Sequence, residues 1–149
     1  MDRVDYESLT IQDLQSIYKR NELDLSPWYQ RRSVWSPTQK AYLINSIFEN
    51  APIPTCYIRH YLDVDSEKSV KEVVDGQQRI RAILSFIDDE FAAPIDSDGS
   101  KKKFSQLTLT ERNHFRMQKL SVGYLIIKRL CNRVQAPEDI DYIFVASID

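Results

Sequence analysis

The stretch Glu72–Phe86, EVVDGQQRIRAILSF, constrains this chain more than any other. Its opening is a β-branched run that reads as a strand ending at Val74. Its close sets Ile80, Ile83, Leu84 and Ile87 at i, i+3, i+4 and i+7, the spacing of one buried helix face. Only a short polar turn, Asp75-Gly76-Gln77-Gln78-Arg79, separates the two periods. An extended backbone that becomes helical so abruptly needs a permissive residue, and Gly76 supplies it. The chain must therefore combine a sheet with helices.

The turn also carries chemistry. A helix start exposes about four unpaired backbone N–H groups and a partial positive charge, which attract anions. Gly76 removes a Cβ from the approach of a ligand. Gln77 and Gln78 donate and accept hydrogen bonds. Arg79 offers a planar fork suited to phosphate oxygens, and Arg81 adds a second cation. Asp75 could cap the helix or hold a metal-bound water. The stretch reads either as a phosphate cradle or as a capped turn with two exposed arginines. No G-x-x-x-x-G-K-[ST] loop exists in the chain.

The remaining sequence repeats the mixture of periods. Thr10 starts a helix with Leu14, Ile17 and Tyr18 on its apolar face. Leu23–Leu25 reads as a short strand. Ser36-Pro37-Thr38-Gln39 is a strong helix start, followed by Leu43, Ile44, Ile47 and Phe48. Thr55–Leu62 and Val70–Val74 are strands flanking a polar turn. APIDSDGSKKK is a surface loop by composition, with Lys101, Lys102 and Lys103 solvated. Thr110 caps a helix over Glu111–Gln118, VGYLIIKRL is a strand, and Ala136-Pro137-Glu138-Asp139 opens a last helix. The expected class is α+β, with a small mixed or largely antiparallel sheet.

A length of 149 residues suits one domain, 1–149. The net charge of −2 argues against coating nucleic acid by bulk charge. Cys56 and Cys131 form no C-x-x-C pattern and read as buried thiols of a reducing compartment. No secretory leader is visible and no apolar run is long enough to span a membrane, so the expectation is a cytoplasmic protein without membrane contact. His60 and His114 stand alone and read as packing or surface histidines, and no metal site is expected from the protein's side chains.

A second feature is PWYQRRSVW, Pro27–Trp35, read as an ordered loop. Aromatic rings among arginines can stack on a base and clamp a phosphate. Alternatively Tyr29 and Trp35 fill the core beneath the loop, with Arg31 and Arg32 outside.

Together the two stretches resemble the N-terminal domain of GmrSD-type restriction endonucleases. The family pattern is P-x-Y-Q-R, V-W, L-I-x-S-I, P-I-P and D-G-Q-Q-R. Here it falls on Pro27/Tyr29-Gln30-Arg31, Val34-Trp35, Leu43-Ile44/Ser46-Ile47, Pro52-Ile53-Pro54 and Asp75–Arg79. The match runs over roughly Leu9 to Phe144. The resemblance implies a ParB/sulfiredoxin-like fold, a small mixed sheet flanked by helices. It implies a domain that binds nucleoside triphosphate, with or without hydrolysis, beside an HNH-type nuclease partner through which DNA would be reached. Carried onto this sequence, Asp75, Gly76, Gln77, Gln78 and Arg79 form the nucleotide-phosphate site. Gln30 and Arg31 form the facing wall, and Arg81 lies adjacent. Asp75 would hold Mg²⁺ or water, and Gln77 or Gln78 would orient the attacking water.

The sequence also departs from the family. Ile143-Phe144 runs into Val145-Ala146-Ser147, where an Arg-Leu-Asn segment is usual. No histidine-rich nuclease motif is present. The expectation is a minimal or truncated regulatory module of a prokaryotic restriction or phage-defence system, not a nuclease on its own. The alternative is a non-enzymatic DNA-binding or protein-interaction module of ParB-like fold. Sulfiredoxin-like redox chemistry is set aside because residues 70–90 contain no cysteine.

Overall fold

A computed structural model describes residues 3–25 and 34–126. The chain opens with strand β1 (Arg3–Thr10) and helix α1 (Ile11–Lys19). The short β2 (Leu23–Asp24) follows, then α2 (Pro37–Phe48). The hairpin of β3 (Cys56–Leu62) and β4 (Ser69–Asp75) leads straight into α3 (Gln77–Ile87). A two-stranded ribbon, β5 (Ala93–Pro94) and β6 (Lys101–Lys102), precedes a 3₁₀ turn at Phe104–Gln106. The described part closes with α4 (Leu109–Arg116) and β7 (Lys119–Ile126).

The main sheet has the order β1-β7-β3-β4-β2. β1 runs antiparallel to β7, in register from Arg3 opposite Ile126 to Thr10 opposite Lys119. β7 is parallel to β3, β3 antiparallel to β4, and β4 parallel to β2. The expected α+β class with a small mixed sheet is what forms.

Strand alternation divides the sheet into two faces. Cys56, Ile58, Val73, Leu120, Val122 and Tyr124 belong to one core with the buried faces of all four helices. Phe86 sits at its centre, with ring centroids 5.3 Å from Phe115, 5.6 Å from Phe91 and 5.9 Å from Phe104. These rings tie α3 to α4 and to the segment between them. The opposite face holds a smaller cluster of Val74 and Leu125 against Val4 and Tyr57.

Several expectations change in detail. Tyr18 lies outside the core, 43% exposed, and Ile11 takes a buried place instead. The cap of α4 is Thr108, not Thr110. Thr108 Oγ1 accepts from the Glu111 N–H while Glu111 Oε1 accepts from the Thr108 N–H, a reciprocal box that Thr110 is too close to Glu111 to make. The loop at residues 93–103 contains the β5–β6 ribbon. β7 begins at Lys119, earlier than VGYLIIKRL suggested, because β1 supplies a partner along its whole length. β1 itself had no clear period in sequence. The Ser36 capping box and the Thr10 cap form as expected. The final helix, Cys131 and most of PWYQRRSVW lie outside the described residues.

Candidate functional site

β4 ends at Asp75, and Gly76 occupies the N-cap position of α3 with φ +100° and ψ 15°. Side chains rarely adopt that backbone. There is a second reason for glycine. A Cβ at this position would lie 2.7 Å from Cys56 Sγ and 3.1 Å from Arg79 Nη2. The space beside Gly76 is therefore filled by the protein's own thiol and guanidinium, rather than left for a ligand. Cys56 is thus in contact with the turn although it is distant in sequence, which removes the ground on which redox chemistry was set aside. The thiol is fully buried, however, and so out of reach of a substrate.

The polar residues of the turn divide by what they touch. Arg79 is 6% exposed. Its Nη2 donates to the Thr55 carbonyl at 3.2 Å and lies 3.8 Å from Asp75 Oδ2. Asp75 is likewise buried. This pair ties the start of α3 to the segment that leads into β3. Gln78 is 7% exposed, and its Oε1 accepts from the Trp35 N–H at 3.3 Å. Its amide nitrogen has no hydrogen-bond partner among the described residues. Arg81 is half-buried and its Nη2 donates to the Leu25 carbonyl at 3.1 Å. Gln77 is half-buried at the first position of α3.

One helix therefore reaches three separate parts of the chain. Arg79 holds Thr55, next to Pro52-Ile53-Pro54. Gln78 holds Trp35, and Arg81 holds Leu25. Leu25 and Trp35 flank the segment containing Gln30 and Arg31, which lie outside the described residues. The motifs that sequence could only list side by side are joined through α3.

Gln78 and Arg81 also line a cleft of about 380 Å³ along α3. Lys40 of α2 and Tyr18 of α1 contribute to its walls, as do Leu25 and Val34. Farther along α3 the lining passes through Ser85 to Asp88 and Glu90. Lys40 is half-buried and has no ion-pair partner among the described residues. Sequence reading missed Lys40, because it lies between motifs, and assigned Tyr18 to the core.

A separate buried cation lies on the sheet face remote from the main core. Arg59 is 3% exposed, with its guanidinium 5.7 Å from the Tyr61 ring centroid. Tyr61 donates to Glu72 Oε1 at 2.9 Å, and burial beside that carboxylate pushes the phenol well above its ordinary pKa.

Among the described residues no group of three His, Cys, Asp or Glu side chains is placed to hold a metal ion, and no helix is long and apolar enough to cross a membrane. The fold and this cleft define an α+β domain organised around a strand-turn-helix motif. A sequence model of the GmrSD restriction endonuclease N-terminal domain matches residues 11–140, and the chain belongs to that family. It is by that membership a component of a restriction system of the phage-defence type. No curated protein sequence matches it significantly.

Proposed function

We propose that the domain binds a nucleoside triphosphate in the cleft beside the DGQQR turn and thereby regulates a nuclease partner. One observation carries this reading. Gln78, Arg81 and Lys40 converge on a single cleft at the N-terminal half of the motif helix. A dipole-bearing helix start, two cations and a buried amide are a donor set for phosphate oxygens. The cleft volume falls in the range of small-ligand sites. Tyr18 offers a ring to a base, and the family resemblance assigns Gln30 and Arg31 to the facing wall.

Mg²⁺ usually binds through one or two carboxylates together with the phosphates it accompanies. Asp75 is the carboxylate of the turn, but it is buried beside Arg79 and does not line the cleft, so it does not fit an ion held there. In a hydrolytic cycle, Gln77 or Gln78 would orient water, and Arg79 with Arg31 would offset developing negative charge. Where Arg79 holds Thr55, its contribution includes keeping the turn in shape. An HNH-type nuclease would supply DNA cleavage.

A thermal-shift screen with ATP, GTP, CTP and UTP, with and without Mg²⁺, tests the reading. A ligand that binds only the folded state at 100 times its Kd adds about 2.7 kcal/mol and raises Tm. Lys40→Ala, on the helix surface, should weaken calorimetric affinity about tenfold while leaving the unliganded Tm in place. No shift with any nucleotide, together with salt-dependent binding to duplex DNA, would replace this reading with a DNA-binding module.

A further inference from the structure

We infer that the cleft along α3 selects ribonucleotides over 2′-deoxyribonucleotides, through Asp88 and Glu90 at the end remote from the turn. This rests on the nucleotide reading above and names the sugar it accepts.

Gln78, Arg81, Ser85 and Asp88 follow one another at intervals of three, four and three residues, and all four line the cleft. That spacing is one stripe of a helix. The stripe is electrically polar. At the N-terminal half, Arg81 and Lys40, the latter without an ion pair among the described residues, add to the positive end of the helix dipole. At the other end stand two carboxylates, Asp88 at the C-cap and Glu90 just beyond it. A ligand lying along this stripe needs anionic groups at one end and hydrogen-bond donors at the other.

The acidic end is not explained by the fold. Asp88-Asp89-Glu90 places three acids at the negative end of a helix, where the dipole disfavours them. Asp89 has a structural task. Its Oδ1 accepts from the Ser105 N–H at 2.8 Å, and the Ser105 side chain together with that N–H holds its carboxyl below the usual range. The Asp88 and Glu90 carboxylates have no hydrogen bond or ion pair among the described residues. Gln78 gives an independent sign of a ligand at the other end. It is nine-tenths buried, its oxygen is committed to Trp35, and its amide N–H₂ on the cleft wall has no partner among the described residues.

The dimensions suit a nucleotide. Arg81 and Asp88 are seven residues apart, about 10 Å along the helix axis. With phosphates at Lys40, Arg81 and Gln78, the sugar of a nucleoside triphosphate comes level with Asp88 and Glu90. A vicinal 2′,3′-diol donates two hydroxyl hydrogens to carboxylate oxygens, and acidic side chains serve this purpose in dinucleotide sites. A 2′-deoxy sugar has one donor fewer and leaves an acceptor unmatched. The carboxylates are exposed, so the expected discrimination is about tenfold and not the far larger factor of a sealed pocket.

Calorimetric titration of the full chain with each of ATP, GTP, CTP and UTP, paired with its 2′-deoxy counterpart, reads this directly. For nucleotides that bind, the ribose form should bind about tenfold more tightly. Asp88→Ala/Glu90→Ala should abolish the difference between the two forms, with circular dichroism and Tm confirming an intact fold. Equal ribose and deoxyribose affinities in the wild type would overturn the inference, as would a preference that survives the double substitution. Both results leave nucleotide binding standing. Failure of every ribo- and deoxyribonucleotide to bind would overturn the nucleotide reading, and this inference with it.

Discussion

At Gly76 a backbone torsion and a packing contact impose the same choice of residue. Alanine there must accept φ near +100° and a Cβ 2.7 Å from Cys56 Sγ. Strain of about 1–2 kcal/mol and overpacking of about 1–3 kcal/mol add up to a large loss. Gly76→Ala should therefore lower the urea midpoint strongly, and Cys56→Ala in the same chain should restore part of the loss. A double-mutant cycle without coupling would show that the torsion alone matters. His60 provides a pH-dependent counterpart. Its Nε2 lies 2.7 Å from Ser69 Oγ, and burial, with Lys71 nearby, lowers its pKa from 6.5. The folded state therefore favours the neutral ring. Stability is complete above pH 6.5 and declines as pH falls towards the lower folded value, because the unfolded chain takes up the proton first. Urea midpoints between pH 7.5 and 5.5 should fall in the wild type, and His60→Gln should flatten that fall. An unchanged slope in the variant would assign the effect elsewhere.

At the scale of elements, α3 is a brace as well as the wall of a cleft. Arg79 connects its first turn to Thr55 and to Asp75. Arg79→Ala removes a charged donor from the half-buried Thr55 carbonyl and a cation from beside a buried carboxylate, at a cost of about 2–4 kcal/mol. Lysine, with a point charge in place of a fork, should recover little of this. Chemical denaturation would measure both variants, and near-wild-type stability in either would show that the brace is dispensable. Loss of nucleotide affinity in Arg79→Ala would consequently be ambiguous. Lys40, which has no such structural bond, is the more informative position. The same distinction shows what was legible in the turn. The residue types D-G-Q-Q-R announced a polar site at a helix start. They did not show that Gln78, Arg79 and Arg81 reach Trp35, Thr55 and Leu25, since these contacts span 43, 24 and 56 residues of sequence.

At the scale of the whole molecule, β1 completes the sheet. Without it, β7 would present the eight residues Lys119–Ile126 as an open edge. Unprotected edges of that kind pair with other chains. Removal of residues 1–10 should therefore yield a protein that self-associates in light scattering and unfolds at lower urea. A monomeric product of unchanged stability would show the strand to be peripheral. β1 also shows why sequence reading stopped short. RVDYESLT is largely polar, its side chains are mostly exposed or half-exposed, and a strand of this kind is stabilised by backbone pairing, which leaves little periodic trace.

The sequence by itself determined the elements whose signal is local. The Ser36 box, the Thr10 cap, the apolar face of α3 and the polar turn before it each depend on residues within one or two helical turns of one another. Apolar periodicity and capping chemistry act over that range, so they can be read in order along the chain. Only the tertiary structure decided that Cys56 fills the space beside Gly76 and that Tyr18 turns outward. It also decided that Lys40 joins Gln78 and Arg81, and that the cleft ends on Asp88 and Glu90. Those relations follow from how α1, α2 and α3 pack against the same sheet face, an arrangement set by the combined burial of the core and not by any neighbouring residues.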